Sequence, residues 1–432
     1  MYLGVRATEP NQVGGWKGSM PRWSPWLAAV LLVGLAASLY AANARISQLI
    51  PGGEEFLPCW AGARTYLAEG ESPYGPDAAR LGQETVYGRP AETDQGESRL
   101  VCPYPTSLVL PLLVTGLFPF EEAWPVYITL LELGLLALAA LSLRWIQWRL
   151  SPARWLLTLG FALVWYYGVH AILRGDPAVL VGVLMMASLL SFHARQDAAA
   201  AIFLAFSTAV PGLGLPMTVW ILLSAIARRR WNLLGWYVLV VGLLVGAFYV
   251  IGDTGPLPWI RNAVESARST GPVSAISIIS RWIPSFSRPL EYLLSALLIV
   301  LQILLWARSL RSMDRPAAWT AAHTLVVTAL IFPSSGLAYQ VILLPPLFLV
   351  LALVEERWGK WGAVISAAVA IGILVVPWWN AMSDPLGEAE SVVWRLILPL
   401  LCLVGLWWNK WWVERSPRSL RGYGLPCSVG AR

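Results

Sequence analysis

Two adjacent carboxylates, Glu54 and Glu55, follow a glycine pair in the stretch Pro51-Gly52-Gly53-Glu54-Glu55-Phe56. Beside a membrane-spanning run, such a pair can act as a general base, a metal ligand or a cation trap. Like-charge proximity and partial loss of water raise one pKa of the pair. An ordinary solvated acidic loop is the plainer alternative. Arg64, Arg174 and Arg281 are candidate phosphate partners, because a guanidinium grips phosphate through two parallel hydrogen bonds. For each, a lipid headgroup contact or a local ion pair is the competing account. Asp176 stands two residues from Arg174 and reads equally well as its ion-pair partner. His170, His193 and His323 and the four cysteines are too scattered for metal-ligand spacing. No cofactor is expected, and a divalent metal would have only the acid pair to support it. His170 and His323 fall inside apolar runs, where interhelical hydrogen bonding is the expected role. Glu132 and Glu291 lie in or at the edge of such runs.

The elements that must position these groups are apolar. Hydrophobic residues make up 57% of the 432 and charged residues 13%, about half the charged share of a soluble domain. That excludes a soluble enzyme, a disordered chain, a coiled coil and a disulfide-stapled secreted domain. A polytopic all-α membrane protein remains, and 25 tryptophans suit its two interfaces. The net charge of +6 sits in short clusters between apolar runs. It reads as the basic bias of cytoplasmic loops, and nucleic acid is not expected as a partner.

The first apolar run, 26–42, follows Arg6, Lys17 and Arg22. Ala42-Asn43-Ala44 resembles a signal cleavage site, but the run is longer than a signal's apolar region and favours an uncleaved anchor. Residues 44–104 carry nine acidic and five basic residues, which fits the outside. Further runs occupy 105–118, 123–143, 155–172, 177–192, 198–227, 231–251, 290–307, 317–332, 336–354, 361–379 and 391–409. Basic clusters near 144–154, 193–195, 228–230, 308–315, 357–360 and 410–421 mark the inside. On that assignment 105–118 is re-entrant or interfacial, and 198–227 goes out and back around Pro211, Gly212, Gly214 and Pro216. The expected architecture has about twelve crossings. A tail at 1–25 and another at 414–432 are both inside, and 26–413 forms the membrane domain. Outer segments lie at 44–104 and 252–289. Residues 60–70 read as a short amphipathic helix on the membrane, with Trp60, Ala63 and Leu67 on one face. Glu71-Ser72-Pro73-Tyr74 reads as a turn. Cys59 and Cys102 share the outer segment, as a disulfide or as free thiols.

The outer segment resembles glycosyltransferase family 87, of the GT-C superfamily. The family opens with Asp-Phe-x-x-Tyr/Trp, then Ala-Arg, Gly-x-x-Pro-Tyr and Tyr-Pro-Pro. This chain has Glu55-Phe56, Trp60, Ala63-Arg64, Gly70, Pro73-Tyr74 and Tyr104-Pro105 in that order. Gly175-Asp176 stands where the family has Gly-Gln. Ser274 and Arg281 stand in its Asn-Gln-Ser…Arg stretch, and the 332–335 segment, with Ser335, in its Ser-Pro-x-Ser-Trp-x-His stretch. The family's Asp is Glu55 here. Its His falls near Ala338, beside Tyr339 and Gln340, and its Lys-Pro is Val210-Pro211.

The resemblance implies a GT-C-like bundle in a bacterial plasma membrane. It implies transfer of a sugar, mannose by family habit, with inversion, from a polyprenyl-phosphate donor to a lipid or glycan acceptor outside. Glu55, then Glu54, would be the base for the acceptor hydroxyl. Arg281, Arg64 and Arg174 would hold the donor phosphate. Trp60, Tyr74, Tyr104, Asp176, Ser274, Ser335, Tyr339 and Gln340 would line the substrates. Two rival readings remain. A transporter or flippase of a lipid-linked or anionic solute would place paired charges at mid-membrane, whereas these charges gather at the outer edge. An inactive relative serving as an assembly subunit would fit the missing His and Lys.

Overall fold

A computed structural model describes residues 25–414, apart from 50–51, 93, 95–96, 149, 253–254, 270–273, 281–282, 311–314, 333–336 and 384–387. Arg281, Ser335 and both proposed tails therefore lie outside the described residues. The described chain is helical throughout. In order it runs α1 (Pro25–Leu49), α2 (Leu57–Glu69), α3 (Pro76–Tyr87), α4 (Thr106–Leu112), α5 (Phe120–Ile146), α6 (Pro152–Val164), α7 (Tyr166–Arg174), α8 (Ala178–His193) and α9 (Asp197–Ser207). It continues with α10 (Pro211–Ala227), α11 (Trp231–Ile251), α12 (Leu257–Ser269), α13 (Ala275–Ser280), α14 (Ser287–Ser309), α15 (Arg315–Ile331), α16 (Leu344–Ser383), α17 (Glu388–Trp408) and α18 (Lys410–Glu414).

Five helical stretches are long and apolar enough to cross a membrane, and six if α6 and α7, bent by 48°, form one span. Trp165 makes that bend: its extended backbone interrupts the helix. The expected break in 198–227 falls at residues 208–210, just ahead of Pro211, which starts α10 without needing an N–H. α16 is 40 residues long, and Gly359 adopts φ 56°, ψ −123° within it. The Ser366 hydroxyl donates to the Leu351 carbonyl at 3.1 Å. In a straight helix those residues would stand about 22 Å apart, so the chain turns back at Gly359, between the expected runs 336–354 and 361–379.

α5 is the pillar. Its most apolar window is 56% buried, against 11% in α11 and α14. Leu131, Leu135 and Leu138 are fully enclosed where α5 meets α1, α8 and α16. The apolar sides of α11 and α14 stay outside this core, as lipid-facing helices do.

The first outer segment is folded, not merely exposed. α2 was expected to lie on the membrane, but Trp60 and Ala63 are buried in protein and only Leu67 is open. Gly116 lets the backbone of residues 113–117 touch α2, because a Cβ there would come within 2.7 Å of the Arg64 nitrogen. The Trp60 indole then donates to the Phe118 carbonyl at 3.1 Å. Arg64 reaches the Gly116 carbonyl at 3.2 Å. α12 closes over the same segment: the Trp259 indole donates to Pro103 at 2.9 Å, and Asn262 to Tyr74 at 3.3 Å. Cys59 and Cys102 form a disulfide between residues 43 apart in sequence. Closing a loop of that length removes about 4 kcal/mol of unfolded-chain entropy in the standard treatment. Replacing both cysteines by serine should therefore lower the thermal midpoint in detergent, and reductant should do the same to wild type alone. A wild-type midpoint indifferent to reductant would deny the bond a stabilising role.

Candidate active site

The acid pair is held by a backbone interaction that its glycines permit. α7 ends at Gly175, with φ +70°. The Gly175 N–H bonds to Ile172 and the Asp176 N–H to Ala171, at 3.0 and 2.9 Å. This left-handed close of a helix favours glycine. The chain before α2 lies along that end. The Gly53 N–H donates to Leu173, and the Glu55 N–H to Arg174, both at 3.0 Å. Added side chains would collide: a Cβ on Gly52 would lie 2.6 Å from the Leu173 oxygen, and one on Gly175 would lie 2.9 Å from the Phe56 Cβ. Phe56 anchors the arrangement from below by stacking on Tyr127, with centroids 4.2 Å apart.

This docking separates the two acids. The side chain of Glu54 is 72% exposed and that of Glu55 19%. Glu55 Oε2 accepts from the Tyr104 hydroxyl at 2.9 Å, and Oε1 from Arg174 Nη2 at 3.1 Å. Glu54 meets the same guanidinium at 3.5 Å. Arg174 is thus committed to the acids and does not stand apart as a phosphate ligand.

Asp176 does not form the expected ion pair with Arg174. It is 3% exposed, and its Oδ1 accepts the Ala178 N–H at 2.8 Å, capping α8. Burial raises its pKa from 3.8 to about 7. The nearby Glu55 charge adds to the rise, while the Ala178 N–H and Arg174 pull it back. Burial, then the charges of Glu55 and Asp176, push the Tyr104 hydroxyl well above its ordinary range, so it remains a donor.

Next to this group is a cleft lined by Leu213, Thr328, Phe332, Tyr339, Gln340 and Arg395. Tyr339 joins the two, since its hydroxyl feels the charges of Asp176, Glu55 and Arg174. Gln340 is 5% exposed. Its amide nitrogen donates to the Arg395 carbonyl at 2.6 Å, and its amide oxygen has no partner among the described residues. Ala275 borders the cleft, but its neighbour Ser274 is turned to Glu291 at 2.9 Å. Arg64, Trp60 and Tyr74 are packing residues: the first two bond the turn at 116–118, and Tyr74 stacks on Phe248. Sequence reasoning passed over Arg395. Its signal was a lone cation in the apolar run 391–409. Among the described residues, no group of three or more His, Cys, Asp or Glu could hold a metal ion.

The family model of glycosyltransferase family 87 matches residues 103–333, more than half of the 432 residues. The chain belongs to glycosyltransferase family 87. It is a membrane glycosyltransferase, with a sugar donor and an acceptor as its partners. No curated protein and no solved structure matches it. The family 87 match starts at Pro103 and covers Tyr104, Arg174 and Asp176. Glu54 and Glu55 precede it, so their placement in the site rests on the geometry above.

Two outcomes are expected. Gly175→Ala should cost about 2 kcal/mol from its left-handed backbone and crowding of Phe56, and should cut transfer at least tenfold. Gly70→Ala, also left-handed but with open space around it, should cost about 1 kcal/mol and leave transfer intact. Equal activity in both variants would detach the docking from the chemistry. The second outcome concerns pH. Asp176 keeps its proton in the folded chain up to about pH 7, whereas the unfolded chain releases it near 3.8. Its contribution to stability is therefore full at low pH and falls as pH rises between these values. Thermal midpoints measured across that window should fall more steeply in wild type than in Asp176→Asn.

Proposed function

We propose that this chain transfers a sugar from a polyprenyl-phosphate donor to a hydroxyl of a lipid or glycan acceptor, with Glu55 as the general base. The observation that carries the reading is the Glu55 carboxylate. It is fixed between Tyr104 and Arg174, yet still partly open, at the edge of a cleft that contains a cation. In the step, the acceptor oxygen attacks the anomeric carbon and its proton passes to Glu55. The bond from that carbon to the phosphate oxygen breaks, and polyprenyl phosphate leaves with the electron pair. Attack opposite the leaving group inverts the anomeric carbon.

Arg395 is the preferred cation for the donor phosphate, because Arg174 and Arg64 are engaged elsewhere. Leu213 and Phe332 offer the apolar wall a prenyl chain needs. Tyr339 and Gln340 occupy the place of the family's His and supply neutral hydrogen bonds to a sugar. Glu54, more exposed, is the alternative base. Mannose is the first sugar to test. The frame is a GT-C-like bundle of about twelve crossings in a bacterial plasma membrane. Both tails are inside, and the 44–104 and 252–289 segments are outside.

The test is a transfer assay with purified protein, membrane extract as acceptor, and radiolabelled polyprenyl-phosphate mannose, glucose and arabinose in turn. Glu55→Gln should lose about 10²–10⁴-fold in turnover, as removal of a general base does. Arg395→Gln should raise the donor KM by about tenfold, the loss of a charged hydrogen bond. Near-normal turnover in folded Glu55→Gln removes Glu55 as the base. Failure of wild type with every donor would move the weight to a transporter or an inactive subunit.

A further inference from the structure

A second cleft lies at the opposite end of the helices that border the first. On α14, Glu291 faces the Ser274 region, and Arg308, 17 residues on, lines the second cleft, about 25 Å away along the axis. On α15, Thr328 belongs to the first cleft and Pro316 and Thr320 to the second. Arg308 and Lys410 bring two cations to it, and Trp319 forms part of its wall. Among its described lining residues there is no carboxylate.

The recess is built from the buried core outward. The Trp407 indole only donates, so its 3.1 Å contact with His323 Nε2 makes that nitrogen the acceptor. The His323 proton is then on Nδ1, which donates to Gln302 Oε1 at 2.6 Å. Gln302 in turn donates to Thr324 at 2.8 Å. This chain of bonds fixes the Trp407 ring, and Trp319 packs edge-on against it at 5.6 Å. The Lys410 ammonium rests 4.4 Å from the centre of Trp407 and 5.2 Å from that of Trp319. Its charge is thereby held over two rigid indoles. The start of α15 opens into the same space and adds the positive end of its dipole. A general excess of basic residues at one membrane face would leave arginines and lysines on loops. It would not seat a lysine on packed tryptophans in a hollow between helices.

We propose that this cleft binds the phosphate of an anionic phospholipid headgroup at the membrane face away from Glu55. Basic hollows between membrane helices suit such headgroups, and lipid is the anion most abundant at that depth. The site does not depend on the transfer reaction.

The experiment is native mass spectrometry of the full chain, released from mixed micelles containing phosphatidylglycerol and phosphatidylcholine. Wild type should retain phosphatidylglycerol in preference to phosphatidylcholine. Arg308→Gln, at an exposed helix end, and Arg308→Gln/Lys410→Gln should reduce that retention by about tenfold, the effect of about 1.4 kcal/mol. Arg144→Gln, an exposed cation at the same end of α5, should leave it unchanged. Retention that resists millimolar inorganic phosphate supports the lipid as the source. Displacement by phosphate, absent in the double variant, supports the same phosphate recognition with a soluble ion as the source. Equal retention in wild type and both Arg308 variants, or an equal loss in Arg144→Gln, overturns the proposal.

Discussion

The site depends on one backbone contact, in which residues 53–55 dock along the end of α7. Two hydrogen bonds of 3.0 Å join chain segments about 120 residues apart. They satisfy the Leu173 and Arg174 carbonyls, which the helix end leaves without intrahelical donors. Only glycine at 52 and 175 lets the backbones come so close. The consequence is chemical: the carboxylate of residue 55 and the guanidinium of residue 174 are fixed by main chain before any side-chain interaction is counted.

The residues that resemble the family's opening motif divide along this contact. Trp60, Arg64, Pro73 and Tyr74 build the platform beneath the acids. A Cβ on Gly62 would strike the Pro73 carbonyl at 2.6 Å, and Arg64 spans to the turn at 116–118. A recurring Ala-Arg or Gly-x-x-Pro-Tyr can thus mark a packing requirement as well as a substrate contact. The disulfide serves the same platform by tying α2 to the segment that presents Tyr104.

The apolar helices were legible in the sequence because each is written in a continuous run of residues. The break before Pro211 and the reversal near 359 were legible for the same local reason, since proline and glycine mark them. The acid pair could be singled out by type and position. Its partners could not, because Arg174, Tyr104 and Tyr339 reach it only through tertiary folding. Asp176 was misread as the partner of Arg174 on sequence proximity. Once α7 closes at Gly175, however, the side chain of residue 176 is aimed at the start of α8. Arg395 was missed because a single charge near a span end reads as an interface anchor until its neighbours are known.

The charge arithmetic of the site explains why its two inner carboxylates differ. One guanidinium, Arg174, faces Glu54, Glu55 and, through space, Asp176. It cannot offset three negative charges in a partly dry setting, and an unpaired buried carboxylate is costly. Glu55 takes the direct ion pair and the Tyr104 hydroxyl. Asp176, deeper and with one backbone N–H, resolves the cost by keeping its proton to about pH 7. Two acids whose surroundings drive them apart in this way can take different roles in proton transfer. With no imidazole in the described cleft lining, such a division places the handling of protons on the carboxylates. The neutral Tyr339 and Gln340 are left to orient what binds.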